Sequence, residues 1–408
     1  MADITAMPIE LTDRIPEEIY ACIISAAAGD KTALQNLSLV CHAWGTSSRL
    51  ILFSSICAYP PFMNYLAQSV EGGNRILPCI RKIRFLRSSR TCLATFERVA
   101  PQMSNLCALR FLSCSAHYIA SVGRILDRDG RIRTLELLHP RSFRSFRQFQ
   151  DILALYPGIQ TLVLEQIKWG RSVTYEGGTV SARVPQIEGP EDGGTVPPLE
   201  NLRAVTVVGD GTASILCWLA DGADRIRTLV APRLGLDACR QIVRFPHIEK
   251  LVVGFRRVRF EDIEGTMSAF RALRYLVISN EIDLRDSRPP STPNTSSNNQ
   301  FRALELPRQT HWFSLLLSSI SSPLSHLTFP VITLDSEKQL ELVDWDAIND
   351  LLCGSCMREV VIKVNIGDNP ISSEHIESDI RQRLSEGLRK GTQLIVEVWK
   401  YSLETAKE

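Results

Sequence analysis

The sequence lacks an excess of charge of either sign. Its 46 Lys and Arg face 45 Asp and Glu, for a net charge of +1. Such a balance implies no bulk attraction to nucleic acid or to an anionic membrane. An apolar run long enough to span a bilayer is missing too. The start, MADITAMPIE, has no basic region followed by an apolar stretch, so no secretory leader is expected. No Gly-rich stretch ends in Lys-Ser or Lys-Thr, which leaves no phosphate-binding loop. The 7 histidines are dispersed, and no nucleophile pairs with a base. We therefore expect no cofactor, no metal and no enzymatic activity. The 11 cysteines are scattered and odd in number. Without a leader they read as reduced thiols of a cytoplasmic or nuclear protein. In that compartment the acceptor-like Asn294-Thr295-Ser296 carries no meaning.

What is present is ordinary globular material: 408 residues, 44% hydrophobic and 22% charged, enough for a small domain and a larger one. The stretch from Ile9 to Ile56 stands out. Pro16, Glu17 and Glu18 mark a helix start, where Pro loses no needed hydrogen bond and acids suit the dipole. Ile15, Ile19, Ile23 and Ile24 then recur at helical spacing. Gly29-Asp30 interrupts, and Thr32 is placed to cap a second helix whose apolar stripe is Leu34, Leu37, Val40, Cys41 and Trp44. A third helical run covers Ser48 to Ile56. Three short helices in under about 50 residues rarely build an adequate core alone. Periodicity by itself fits any small helical subdomain packed on a larger body.

The wording of this stretch resembles the F-box family. Ile15-Pro16-Glu17-Glu18-Ile19 stands for the family's Leu-Pro-x-Glu-(Ile/Leu). Leu34 to Trp44, LQNLSLVCHAW, stands for its Leu-x-x-x-Ser-x-Val-Cys-(Arg/Lys)-x-Trp. Ile15 replaces Leu, and His42 replaces a fixed positive charge. The resemblance implies a three-helix domain docked on the Skp-type adaptor of a cullin–RING ubiquitin ligase. The docking residues it implies are Pro16, Glu17, Ile19, Leu37, Val40, Cys41 and Trp44; some of them must form the bundle's own core, and sequence does not divide them.

From Ile80 onward one apolar phrase returns, apolar-x-x-apolar-x-apolar. It reads Ile80-Ile83-Phe85, Leu106-Leu109-Phe111, Ile132-Leu135-Leu137, Ile159-Leu162-Leu164, Leu202-Val205-Val207, Ile226-Leu229-Ala231, Ile248-Leu251-Val253, Leu273-Leu276-Ile278, Phe301-Leu304-Leu306 and Leu324-Leu327-Phe329. Weaker copies sit at Met357-Val360-Ile362 and Leu394-Val396-Val398. Helical segments lie between them. The early spacing of about 26 residues falls in the leucine-rich-repeat range. The phrase resembles degenerate leucine-rich repeats, with Pro140, Ile167, Arg256 and Glu281 where that family usually places Asn or Cys. The expected fold class is α/β: an N-terminal three-helix F-box (residues 1–57), a linker helix and hinge (58–79), and an irregular leucine-rich-repeat solenoid, or horseshoe (80–400). Tyr59-Pro60-Pro61 reads as the hinge, and residues 169–198 and 286–300 read as insertions. An ordinary parallel α/β domain is the plainer alternative.

Several chemical lures fall away. Cys353-Gly354-Ser355-Cys356 has zinc or redox spacing but no second pair, and reads as a helix end before a strand. Asp127-Arg128-Asp129-Gly130 begins like a calcium loop, but Leu138 stands where the terminal Glu belongs. The arginine clusters at 81–90, 141–147 and 256–259 read as solvated faces. Alternation along each strand puts the middle residue of every phrase on the open sheet face. That column reads Arg84, Arg110, Glu136, Val163, Thr206, Val230, Val252, Val277, Glu305 and Thr328. Exposed valines on a sheet face bind something or are covered. The candidate substrate surface is therefore Val230, Val252 and Val277 flanked by Lys250 and Tyr275, with Arg84 and Arg110 at the basic end. The function implied is a substrate-recognition adaptor that holds a protein substrate for ubiquitination, with neither nucleic acid nor membrane as partner. The alternative is a repeat scaffold whose helical bundle serves only as a cap.

Overall fold

The computed structural model describes residues 16–70, 76–126, 130–141, 143–169, 199–209, 211–255, 266–283, 319–320, 322–354, 357–367, 369–388 and 391–400. Two compact units divide the chain, Met1–Leu202 and Arg203–Glu408.

The first unit begins with three helices: α1 (Glu17–Ala26), α2 (Lys31–Leu37) and α3 (His42–Leu52). Pro16 is extended ahead of α1. Asp30, not Thr32, caps α2: its carboxylate accepts from the amides of Thr32 at 2.9 Å and Ala33 at 3.0 Å. The stripe from Leu34 to Trp44 belongs to two helices rather than one. Ser38 donates its hydroxyl back to the Gln35 carbonyl at 2.6 Å, and Cys41 is extended at φ −159°. A serine that satisfies a nearby carbonyl competes with helix continuation. Ile24, Leu34 and Trp44 form the buried core of this bundle.

Strand β1 (Ser55–Ala58) follows directly, where the third helical run was expected to end. Tyr59-Pro60-Pro61 is no hinge. Pro60 and Pro61 open helix α4 (Pro60–Val70), a first turn where Pro is tolerated. The stretch read as a linker is thus the first strand–helix repeat. The repeats continue as β2 (Lys82–Leu86), α5 (Arg90–Val99), β3 (Ala108–Leu112), α6 (Ala116–Ile125), β4 (Thr134–Leu138), α7 (Phe146–Leu153) and β5 (Thr161–Glu165). The strands lie parallel in sequence order.

The ends of β2, β3, β4 and β5 share one device. The residue after the strand is left-handed: Arg87 (φ 62°), Ser113 (φ 54°), His139 (φ 45°) and Gln166 (φ 55°). In the first three the amide reaches the last carbonyl of the next strand: Arg87 to Leu112 at 2.9 Å, Ser113 to Leu138 at 3.0 Å and His139 to Glu165 at 2.9 Å. Ser89, Ser115 and Ser145 then cap the helices that follow. The apolar phrase fills the space between sheet and helices: Ile83, Phe85, Leu109, Phe111, Leu135, Leu137, Leu162 and Leu164 are all buried. Phe85 packs against Phe96, Phe111 and Tyr118, with ring centroids 5.1–5.7 Å away.

The second unit repeats the plan with β6 (Ala204–Val208), α8 (Thr212–Leu219), β7 (Thr228–Leu234), α9 (Leu236–Ile242), β8 (Lys250–Phe255), β9 (Tyr275–Ile278), β10 (Glu281–Asp283), β11 (His326–Thr333), α10 (Trp345–Gly354), β12 (Glu359–Asn365), α11 (Ser373–Arg383) and β13 (Gln393–Trp399). The parallel order is β6-β7-β8-β9-β11-β12-β13, with β10 beside β11. Register slips between Ala231 and Leu234 and between Thr328 and Val331. Pro232 and Pro330 sit at those slips; having no N–H, proline interrupts a ladder and favours a bulge. Beside the first bulge only glycine fits at 254, where a Cβ would lie 2.2 Å from the Pro232 carbonyl oxygen.

The architecture is therefore α/β, two stacks of parallel strand–helix repeats. The copy at Phe301-Leu304-Leu306, Glu305, the arginines 256–259 and the segments 170–198 and 286–300 lie outside the described residues. No helix among the described residues is long and apolar enough to cross a membrane.

Candidate binding surfaces

The helical bundle keeps a small core and leaves large apolar side chains outside it. Ile19 is 52% exposed and Leu39 72% exposed, and Ile23 and Leu50 are exposed as well. Ile19 and Ile23 lie one turn apart on α1. The structure divides the docking residues that the F-box resemblance implies. Pro16 and Ile19 face solvent. Leu37, Val40 and Cys41 are half-buried against the core. Trp44 is only 6% exposed and is core rather than surface, with Tyr20 packed on it at 6.1 Å. The side chain of Glu17 lies outside the described residues. Ile23, Leu39 and Leu50 are not among the docking residues that the resemblance implies; Ile23 and Leu50 read in the sequence only as helix positions, and Leu39 sits in a turn that periodicity does not reveal.

In the first unit the open sheet face carries charge. Cys57, Arg84, Arg110, Glu136 and Val163 lie side by side in register. Glu136 gathers two of the cations, with Lys82 Nζ at 2.5 Å and Arg110 Nε at 3.2 Å. Arg110 is thus partly committed to the fold. Arg84 is exposed and makes no ion pair among the described residues.

In the second unit the face is apolar at its middle. Thr206, Val230, Val252, Val277 and Thr328 pair strand to strand, all half-buried, while their neighbours Leu229, Leu251 and Leu276 are fully buried. The alternation read from sequence therefore holds at every described position of the column. One step toward the strand starts lies a second row on the same face, Thr228, Lys250, Tyr275 and His326. Lys250 is exposed and Tyr275 is 40% exposed. The Tyr275 ring stacks on His326, centroids 4.1 Å apart and planes 14° from parallel. His326 escaped the sequence reading, although stepping two residues back from Thr328 would have found it.

Elsewhere the titratable groups are structural. Burial pushes the Cys114 thiol up to about 12, from 9.0. The phenols of Tyr118 and Tyr156 are also raised by burial, and the Tyr156 hydroxyl donates to the Ile119 carbonyl at 2.6 Å. Phe143 and Phe149 are buried and Phe146 half-buried, while Arg141, Arg144 and Arg147 face solvent, so that cluster is a wet face over an aromatic core. Cys353 is exposed at the end of α10; Cys356 and Asp127 to Asp129 lie outside the described residues. No group of three or more His, Cys, Asp or Glu gathers for a metal among the described residues.

No family model matches the chain, and no curated protein matches it. Among solved structures it is similar to a chain of the Rad7 and Elc1 complex from yeast, at 8% identity and a TM-score of 0.39. That alignment covers 99% of this chain and 100% of the other. A likeness at this level transfers neither fold nor function.

Proposed function

We propose that this chain is a non-catalytic substrate receptor. Its N-terminal helices dock on a Skp-type adaptor of a cullin–RING ubiquitin ligase, and its open sheet face holds a protein substrate. The reading is carried by one observation: the bundle leaves Ile19, Ile23, Leu39 and Leu50 in solvent while burying Trp44. Burying such side chains against a partner returns about 1.5–3 kcal/mol each when complete. The F-box wording of this stretch, with Ile19 among its implied docking residues, is what suggests a Skp-type partner. Holding a substrate beside a ubiquitin-carrying enzyme raises the effective concentration of its lysines, so the receptor needs no catalytic residue of its own.

The test is capture of a purified Skp-type adaptor by the full chain, beside an Ile19→Asp, Leu39→Asp double variant whose circular dichroism matches the parent. Capture by the parent and loss in the variant is the expected result. Failure of the folded parent to capture the adaptor would leave the bundle as a cap on a repeat scaffold.

A further inference from the structure

In the second unit the residue immediately before each strand forms a row of its own. Amides at one strand entry converge on the carbonyl of the previous entry. Arg227 and Thr228 donate to Arg203, Glu249 and Lys250 to Arg227, Arg274 and Tyr275 to Glu249, Ser325 and His326 to Arg274, and Arg358 and Glu359 to Ser325, all at 2.8–3.1 Å. This ladder aligns Arg203, Arg227, Glu249, Arg274, Ser325 and Arg358 along one edge of the sheet.

All four arginines are exposed. Among the described residues the row's acid, Glu249, pairs with Arg227 alone, at 3.7 Å. Arg203, Arg274 and Arg358 make no ion pair among the described residues. The fold does not ask for arginine here. The ladder uses the backbone carbonyl, which Glu249 and Ser325 supply equally well. Of the four, Arg203 and Arg227 fall on neighbouring strands, where like charges repel, while Glu249 and Ser325 separate the others. Arg227 has a local role, donating Nη1 to the His247 carbonyl at 3.2 Å, whereas the side chains of Arg203, Arg274 and Arg358 make no hydrogen bond or ion pair among the described residues.

Its spacing indicates the ligand. Adjacent strands lie about 4.8 Å apart, so Arg227, Arg274 and Arg358, each two strands from the next, recur at about 9.6 Å. A peptide in the polyproline II conformation rises about 3.1 Å per residue with three residues per turn, so every third side chain returns to one face at about 9.3 Å. Lys250 and the Tyr275–His326 stack adjoin the row on the sheet face, offering a further cation and an aromatic surface.

We propose that this edge binds an acidic peptide in the polyproline II conformation, whose negative groups fall at every third residue, running across the strand entries. The inference concerns the substrate side of the receptor reading. It is measured on the chain alone, so loss of adaptor capture with peptide binding intact would remove the adaptor and leave this edge standing.

The experiment is a fluorescence-anisotropy titration of the full chain with three labelled probes: a peptide with Asp at every third position in a Gly-Ser background, an isomer with the same Asp residues contiguous, and a short single-stranded oligonucleotide. The spaced peptide should bind tightest and weaken with added salt. An Arg274→Gln, Arg358→Gln double variant, folded by circular dichroism, should lose about tenfold in affinity. Equal binding of the contiguous isomer, or an unaffected double variant, would overturn the proposal. So would absence of binding by the spaced peptide, or tighter binding of the oligonucleotide.

Discussion

Two adjacent residues of β8 should respond in opposite ways to the same substitution. Leu251 is fully buried between sheet and helices, and Val252 is half-buried on the open face. Leu251→Asp removes about 2–3 kcal/mol of side-chain burial. It also places a carboxyl where it must stay protonated or unsolvated, at a further cost of several kcal/mol. The sum rivals the whole stability of a typical domain, about 5–15 kcal/mol. Val252→Asp loses part of one side chain's burial and the strand preference of valine, together about 1–2 kcal/mol. Urea unfolding followed by circular dichroism reads both. With a slope near 2 kcal/mol per molar urea, Val252→Asp moves the midpoint by about 1 M or less. Leu251→Asp should show no native baseline. Equal losses for the two would mean that they do not face opposite sides of the sheet, and the whole column from Thr206 to Thr328 would fall with that result.

Three further outcomes follow from the same geometry. Ser48 Oγ is buried without a hydrogen-bond partner among the described residues, so Ser48→Ala should be neutral or stabilising by up to about 1 kcal/mol in thermal unfolding. Glu136→Gln should cost about 1–2 kcal/mol by releasing Lys82 and Arg110, and the loss should shrink in about 0.5 M salt; an unchanged midpoint would show the bridge to be idle. The Cys114 thiol holds its proton longer when folded, so its contribution is intact below pH 9.0 and is lost between there and about 12, at about 1.4 kcal/mol per pH unit. Cys114→Ala should flatten the first part of that alkaline decline, and a decline that stays as steep would reassign it to Tyr118 and Tyr156.

The repeat was legible because burial in a stacked sheet demands it. Ile83 and Phe85, or Leu251 and Val253, must be apolar wherever a strand lies over helices, so the phrase survives degeneracy elsewhere. The turns were not legible for the opposite reason. The left-handed position after β2, β3, β4 and β5 holds Arg87, Ser113, His139 and Gln166, four residues with nothing in common as side chains. A non-glycine residue there costs roughly 1–2 kcal/mol, which in the first three the amide bond to the next strand offsets, so no glycine marks the spot. The bundle misled in a similar way. Val40 and Cys41 continue an apolar stripe, yet Ser38 and an extended Cys41 end one helix and begin another, and helical spacing across a short turn looks like a longer helix.

The edge arginines show where sequence reading stops. Arg203, Arg227, Arg274 and Arg358 stand far apart in the chain, and none lies in a charge run. Only the ladder of shared carbonyls makes neighbours of them. A parallel repeat converts one position per repeat into one row on the surface. A row's chemistry is therefore invisible until the register is known, and the insertions between repeats hide the register. The same conversion makes the edge testable one residue at a time. Moving a cation from Arg274 to its neighbour in the row, by Arg274→Ser with Ser325→Arg, keeps the charge of the edge and shifts it by one strand, about 4.8 Å. If spacing selects the peptide, this shift weakens the spaced probe and leaves the contiguous one unchanged. If only net charge matters, neither probe responds.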